Sequence, residues 1–246
     1  GESFNGKFYN RDFIGPSSAT LQMINVVDIT EDINIVNIRK KYTVTDKADG
    51  DRKMLYISEN GKIYLIPTSM DIQFTGAETK NHKLFNTLLD GEHIKYNKHS
   101  EYINLYAAFD IYIINGDDVR KNQFMPSDGK VDKIAYRSQL LTKLVISLDA
   151  KQIHSGNKSP IRIEKKKFYE QNDQQTIFDC CNRIQLNIHD GIYEYNTDGL
   201  IFTPAYLAVG SNSISGKPGP KFKHTWKSSF KWKPPEENTI DFKVLT

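Results

Sequence analysis

Tyr42-Thr43-Val44-Thr45-Asp46-Lys47-Ala48-Asp49-Gly50-Asp51-Arg52 is the stretch on which the reading of this chain turns. Residues 42 to 46 alternate between apolar and polar side chains, the mark of a strand with one buried face. Lys47 stands at its end, an acidic residue and a glycine follow within three positions, and Arg52 closes the group. A tight turn of this kind can aim an amine and a guanidinium into one cleft, which suits attack on a phosphate by lysine. A free lysine is a poor nucleophile because it is protonated, and it works where desolvation or neighbouring cations make it reactive. Arg52 is close by, and Lys231 and Lys233 would join it if the fold brings them in. The same cations would hold phosphates and offset the charge that develops during phosphoryl or nucleotidyl transfer. Such a transfer also wants a divalent metal on the phosphate oxygens, hence carboxylates in the cleft.

The rest of the chain supplies a sheet to hold this turn. Lys53 to Ser58 and Lys62 to Ile66 read as strands joined by Glu59-Asn60-Gly61, a strong hairpin signal. Thr87 to Ile94 and Asn104 to Ile114 are apolar enough for buried strands. The period then changes. Val131, Ile134, Leu141, Val145 and Leu148 recur at helical spacing, as do Ile177, Cys181, Ile184 and Ile188. Ile161, Ile163 and Phe168 mark a basic strand between the two helices. Gly199 to Thr203, Phe230 to Trp232 and Thr239 to Val244 complete the strands. Towards the N-terminus, residues 1–30 read as irregular, with Gly15-Pro16-Ser17-Ser18 as a loop. Thr30-Glu31-Asp32 reads as a helix start ahead of Ile35, Val36 and Ile38. Mostly antiparallel strands with two packed helices predict an α+β domain.

Gly210 to His224, rich in Ser, Gly, Pro and Lys, is expected to be a mobile surface loop. It is not a phosphate loop: five residues separate Gly210 from Gly216, and Pro218 stands where Ser or Thr is required.

Composition narrows the class. The chain has 246 residues, 26% charged and 38% hydrophobic, ordinary values for a soluble globular protein of one large or two modest domains. No apolar run reaches membrane-spanning length and no signal peptide opens the chain, so an intracellular protein with no membrane contact is expected. Gly1-Glu2-Ser3 and Val244-Leu245-Thr246 look like cut points rather than natural termini. A net charge of +3 excludes a histone-like binder, yet lysines cluster at Lys165-Lys166-Lys167 and from Lys217 to Lys233, as local patches facing a polyanion would. The only cysteines, Cys180-Cys181, offer neither zinc spacing nor a disulfide framework. They fit a reducing compartment and read as helix packing residues.

Candidate carboxylates adjoin the apolar runs at Asp90-Gly91-Glu92, Phe109-Asp110 and Asp198-Gly199-Leu200-Ile201-Phe202, whereas Asp128-Gly129 and Asp190-Gly191 read as turns. Each feature has a bland reading by itself. Lys47 to Arg52 could be a charged turn, Phe109 a core residue, and Lys231 and Lys233 solvated lysines about a buried Trp232.

The ordered set changes the odds. Lys47-Ala48-Asp49-Gly50-Asp51-Arg52, Asp90-Gly91-Glu92, Phe109-Asp110-Ile111-Tyr112, Asp198-Gly199-Leu200-Ile201-Phe202 and Phe230-Lys231-Trp232-Lys233-Pro234, in that order, resemble the motifs of the covalent nucleotidyltransferase superfamily. That superfamily comprises mRNA capping guanylyltransferases and ATP- or NAD-dependent polynucleotide ligases. Asp198, where ligases usually have glutamate, is similar to the capping branch. So is Lys231-Trp232-Lys233-Pro234 followed by Asn238-Thr239-Ile240-Asp241-Phe242. Gly15-Pro16-Ser17-Ser18 is a looser match to a segment ahead of the capping lysine. The Lys- and Asn-rich character and the long 210–224 loop resemble the multifunctional capping enzymes of large DNA viruses. For such a protein the expected location is the host cytoplasm (the virus factory), with the virion as a second place.

The resemblance implies an ATP-grasp-like ligase/capping fold of antiparallel sheets flanked by helices. It implies that Lys47 attacks the α-phosphate of GTP, releases pyrophosphate and carries GMP as a phosphoramidate. The 5′-diphosphate end of an RNA then takes the GMP to form a GpppN cap. Arg52 and Glu92 are implied at the ribose, Phe109 on the guanine, and Lys231 and Lys233 on the phosphates. Asp198 is implied as the chief carboxylate for a divalent metal, Mg or Mn, with Glu92 a weaker candidate. A lysine of the basic strand would read the guanine edge. Lys166 matches best, with Lys165 and Lys167 one residue away and a solvated basic strand as the alternative. RNA triphosphatase and methyltransferase domains are natural neighbours in one polypeptide. The family continues into an oligonucleotide-binding-fold lid domain, and the chain stops just past Phe242 where that lid should begin. Residues 1–246 are therefore expected to be a nucleotidyltransferase domain excised from a larger protein, without its lid. The alternatives are an ATP-dependent DNA or RNA ligase, in which Lys47 would carry AMP, and a non-catalytic nucleotide or RNA-end binding module.

Overall fold

The turn after Lys47 passes the chain from one sheet to another. In the computed structural model, which describes residues 7–29, 35–126, 135–214 and 216–237, β1 (Ser17–Thr20) is followed by β2 (Tyr42–Ala48), β3 (Asp51–Ile57), β4 (Lys62–Pro67) and β5 (Gln73–Thr79). Then come β6 (Thr87–Tyr96), β7 (Tyr102–Ile114), β8 (Asp117–Asp118) and the helix α1 (Arg137–Ser147). Short strands β9 (Ala150–Gln152), β10 (Arg162–Lys165) and β11 (Tyr169–Glu170) lead to α2 (Ile177–His189), and β12 (Thr197–Pro204) and β13 (Thr225–Trp232) follow.

The smaller sheet runs β1-β13-β12-β2-β11, and the larger runs β10-β7-β6-β3-β4-β5-β9 with β8 paired to β7. Lys47 therefore belongs to the small sheet and Arg52 to the large one. Asp49-Gly50 joins them under tight constraint, for a Cβ on Gly50 would lie 2.9 Å from both Glu92 Cγ and the His93 carbonyl. Nothing larger than glycine fits there.

Each sheet has its own helix. Leu141 and Leu144 of α1 close a core with Leu55, Ile57, Leu89, Tyr106 and Ile111 of the large sheet. Ile177, Cys180 and Ile184 of α2 do the same against Val44, Phe202 and Phe230 of the small sheet. Each large apolar side chain buried in this way contributes about 1.5–3 kcal/mol. Thr176 caps α2 by accepting from Asp179 N while the Asp179 carboxylate accepts from Thr176 N, a reciprocal box that sets where the helix starts.

The strands expected from 42 to 114 and from 199 to 232, the Asn60-Gly61 hairpin, the Asp190-Gly191 turn, the α2 helix and the packing role of both cysteines agree with the structure, whereas the basic strand expected to reach Phe168 ends at Lys165. Several expectations need correction. Ser17 and Ser18 form no loop: they begin β1, which pairs in parallel with β13. Ile35 to Asn37 has no regular structure, because Asn25 and Asn37 side chains tie its backbone to residues 25–27 instead of letting it coil. The expected helix start at Thr30 lies outside the described residues, as do Val131, Ile134, Asp128-Gly129 and the strand Thr239 to Val244. The described helix begins only at Arg137, and Leu148 lies just past its end. Gly210 and Ser211 are buried rather than surface-exposed, since Trp226 Nε1 donates to the Ser211 carbonyl at 2.6 Å.

Candidate active site

Two β-bulges build the site. Across β2 and β12, Ala48 faces Thr197 and Asp46 faces Leu200, so Asp198 and Gly199 together oppose Lys47. Gly199 holds φ +140°, and a Cβ there would stand 2.0 Å from the Trp232 carbonyl oxygen. Only glycine permits this bulge, and the bulge places the Asp198 carboxylate against Lys47. Lys47 Nζ donates to Asp198 Oδ1 at 2.5 Å, and Lys233 Nζ pairs with Asp198 Oδ2 at 2.7 Å. Burial acts to raise the Asp198 pKa, but hydrogen bonds from Lys233 and Lys47 outweigh it and hold the carboxyl below its usual range.

The second bulge lies across β6 and β7. Asp90 faces Asp110 and Gly91 faces Ala108, which leaves Phe109 as the extra residue of its strand. Phe109 lines the same cleft as Lys47, with the Arg52 guanidinium carbon 5.6 Å from its ring centre.

Arg52 itself is held rigidly. Its Nε donates to Asp90 Oδ1 at 3.0 Å, its Nη2 to Asp90 Oδ2 at 2.5 Å and its Nη1 to the Pro16 carbonyl at 2.8 Å. Tyr112 adds a hydroxyl hydrogen bond to Asp90 Oδ2 at 2.6 Å. The fork of Arg52 matches a carboxylate bidentately, so its position is set before any ligand arrives. Glu92, directly across from Arg52 on β6, is pushed up to about 7 by burial, against the opposing pull of Lys166, Arg52 and Lys47.

The three lysines expected on one basic strand take different places, since β10 ends at Lys165 and Lys166 and Lys167 follow it without regular structure. Lys166 is buried in the cleft, where its Nζ donates to both the carbonyl and Oδ2 of Asp46 at 2.7 Å. Lys165 instead reaches Thr142 of α1 at 2.7 Å, and Lys167 lies 4.9 Å over the Tyr169 ring. Lys231 lines the cleft from β13.

The cleft encloses about 290 Å³ and contains Lys47, Arg52, Glu92, Phe109, Lys166 and Lys231 among its walls, with Asp198 and Lys233 joined to it through Lys47. Lys47, Arg52, Glu92, Phe109, Lys166, Lys231, Lys233 and Asp198 are thus brought together, whereas the alternatives Lys165 and Lys167 point elsewhere. The carboxylate of Asp110 is engaged away from Lys47, in a bidentate pair with the fully buried Arg137, whose Nε and Nη2 donate at 2.8 and 3.1 Å.

Four contributors have no role at the site from sequence alone. Asp46 orients Lys166, and Asp90 and Tyr112 orient Arg52, while Phe168 supplies a second aromatic wall. Asp46, Asp90 and Tyr112 all stand within quoted stretches, Asp90 as a candidate carboxylate, and Phe168 reads only as part of the basic strand.

Among the described residues no three or more His, Cys, Asp or Glu side chains gather into a metal-holding group. Asp198 and Glu92 are one carboxylate from each sheet. That donor set suits a hard cation completed by substrate phosphates, the usual pattern for Mg²⁺.

The chain matches the family described as mRNA capping enzyme, catalytic domain, over residues 30–235. It is 27% identical over 253 aligned residues to a probable mRNA-capping enzyme of Acanthamoeba polyphaga mimivirus, covering 89% of this chain and 20% of that protein. An mRNA-capping enzyme of Danio rerio is 26% identical, with 82% of this chain and 31% of the relative covered. One from African swine fever virus (strain Badajoz 1971 Vero-adapted) is also 26% identical, covering 82% and 18%. The chain therefore spans between about a fifth and a third of the length of these relatives. Among solved structures, a mycobacterial DNA ligase D complexed with ATP and MES superposes with a TM-score of 0.51 at 12% identity, covering 90% of this chain and 60% of that one. At that identity the likeness concerns the fold alone.

Proposed function

Since this chain belongs to the family of mRNA capping enzyme catalytic domains, we propose that it is a guanylyltransferase that carries GMP on Lys47 between GTP and the 5′-diphosphate end of RNA. The observation that carries this reading is the Lys47–Asp198–Lys233 array beside a cleft whose far parts are Phe109, Lys166 and Arg52.

In this reading the guanine stacks on Phe109 with Lys166 at its edge, held there by Asp46. Arg52 and Glu92 face the ribose. Lys231 and Lys233 take phosphate oxygens, which releases part of the Asp198 carboxylate from its lysine partners. The deprotonated Lys47 amine attacks the α-phosphorus. An N–P bond forms as the bond to the bridging oxygen of the β-phosphate breaks, pyrophosphate leaves with that electron pair, and the nitrogen gives up a proton to solvent. The acceptor RNA then attacks the same phosphorus through a terminal β-phosphate oxygen, the N–P bond breaks, and the lysine nitrogen regains a proton. A divalent cation on Asp198, with Glu92 the weaker donor, would withdraw charge from the phosphate oxygens and stabilise the transition state.

The further length of the relatives leaves room for triphosphatase and methyltransferase activities, which we propose as partners of this domain. No helix among the described residues is long and apolar enough to cross a membrane.

The test is incubation with α-labelled GTP and, separately, α-labelled ATP, each with Mg²⁺ or Mn²⁺. Acid-labile protein label from GTP alone supports the proposal. Label from ATP alone would make the chain a ligase-type adenylyltransferase. No label from either, in a chain extended past Thr246, would leave a binding module.

A further inference from the structure

The rim of the cleft next to Ser17 carries charge and aromatic surface that transfer from GTP does not use. Two segments meet there. Lys223 N donates to the Arg11 carbonyl at 2.8 Å, and Ser17 N donates to the His224 carbonyl at 2.8 Å. Directly after these contacts the segments become β1 and β13, whose Ser17, Ser18 and Trp226 line the cleft. The surface they present is basic and aromatic. The side chains of Arg11 and Lys221 are 80% and 72% exposed, so neither is spent on folding. Phe222 is 55% exposed and Tyr9 50%, so two rings beside these cations are open to a stacking partner. The Arg11 guanidinium lies 5.2 Å over the Tyr9 ring.

Counter-charge is sparse. Asp12 sits 4.0 Å from Arg11 and Asp118 sits 3.6 Å from Lys221. From Gly216 through Lys227 there are four lysines, Lys227 included, and no acidic residue. Rings interleaved with cations form the stacking platform and electrostatic groove that bind single-stranded nucleic acid without sequence preference. From this platform β13 runs to Lys231, about 20 Å along the strand at roughly 3.3 Å per residue.

The geometry points to this rim as a track for the single-stranded leader of the acceptor RNA, downstream of the 5′ end that meets Lys47. Arg11, Lys221 and Lys223 would lie on its phosphates and Phe222 on a base. The inference rests on the guanylyltransferase reading of the cleft, which supplies the 5′ end.

The experiment measures binding of a fluorescent 5′-diphosphate single-stranded RNA and of a 5′-diphosphate dinucleotide over a range of salt. It uses the unaltered chain, the triple variant Arg11→Ala/Lys221→Ala/Lys223→Ala, and Phe222→Ala. The triple variant is expected to weaken the longer RNA and to flatten log Kd against log salt by about 2, at roughly 0.7 per lost phosphate contact. Phe222→Ala should weaken it about tenfold while leaving that slope unchanged. Dinucleotide binding, and the rate of protein labelling by GTP alone, should stay as in the unaltered chain. Wild-type affinity and slope for the longer RNA in both variants would overturn the track. If the RNA results hold but no chain is labelled by GTP, the track stands and the transfer reading falls.

Discussion

Lys47 and Asp198 sit 151 positions apart in the chain, yet Lys47 Nζ donates to Asp198 Oδ1 at 2.5 Å across a bulge in the small sheet. Lys233 occupies the other oxygen, so in the proposed mechanism one carboxylate would position both the nucleophile and a phosphate-binding cation. Asp198→Asn should lower the rate of lysine–GMP formation about 10²–10³-fold, the scale of losing one pre-placed electrostatic group. Its effect on stability should be near 1 kcal/mol, because both lysines reach solvent. Single-turnover labelling and urea denaturation of the same variant separate the two effects.

Gly199 makes that geometry possible. Gly199→Ala places a methyl group against the Trp232 carbonyl at a φ of +140°. It should cost more than about 1 kcal/mol and lose labelling with it. Gly116→Ala is the control: φ is +84° but no atom lies within 4 Å, so about 1 kcal/mol should be lost and labelling kept. Equal labelling in the two variants would contradict the role given to the bulge.

On the large sheet, Asp90 is completely buried and Arg52 leans on it. Asp90→Asn strands a cation and should destabilise the protein by about 3–5 kcal/mol. Tyr112→Phe removes one hydrogen bond to a charged group and should cost about 1.5–3 kcal/mol. Denaturation of Asp90→Asn, Arg52→Gln and the double variant should show that the double costs less than the sum. Additive costs would mean the pair is not coupled.

Glu92 gives the domain a pH dependence of defined sign. Burial lifts its pKa from 4.5 to about 7 in the fold. The unfolded chain therefore loses this proton first, and stability falls as pH rises from about 4.5 through 7. The full effect is on the order of 3 kcal/mol before solvent screening is discounted. Denaturation midpoints at pH 5 and pH 8 should differ more in the parent chain than in Glu92→Gln. An equal difference in the two proteins would show that Glu92 is not the titrating group.

Much of this was legible in the chain because each part of the site sits in a short motif, and the order of the motifs resembles a known superfamily. Lys47 and Arg52 are close together because one turn must serve two sheets, and Asp198 is followed by the glycine its bulge requires. The α2 helix announces itself by the helical spacing of Ile177, Cys181, Ile184 and Ile188. What stayed hidden depends on partners far away. The parallel pairing of β1 with β13 joins residues about 200 positions apart, so Ser17 and Ser18 read as a loop. Arg137 draws no reading from the sequence, because Asp110, which accepts from its Nε and Nη2, lies 27 positions away. Asp46 looks like an ordinary strand residue until Lys166 reaches it from 120 positions away. Ser211 reads as a loop residue because Trp226, which gives its carbonyl a buried partner, reaches over from β13, 15 positions on.

The most direct test is peptide mapping by mass spectrometry after incubation with GTP and Mg²⁺, without acid treatment. The predicted result is a single GMP adduct on the peptide containing Lys47, absent from Lys47→Ala and unaffected by excess ATP. A GMP adduct on another lysine, or an AMP adduct on Lys47 with none from GTP, would contradict it.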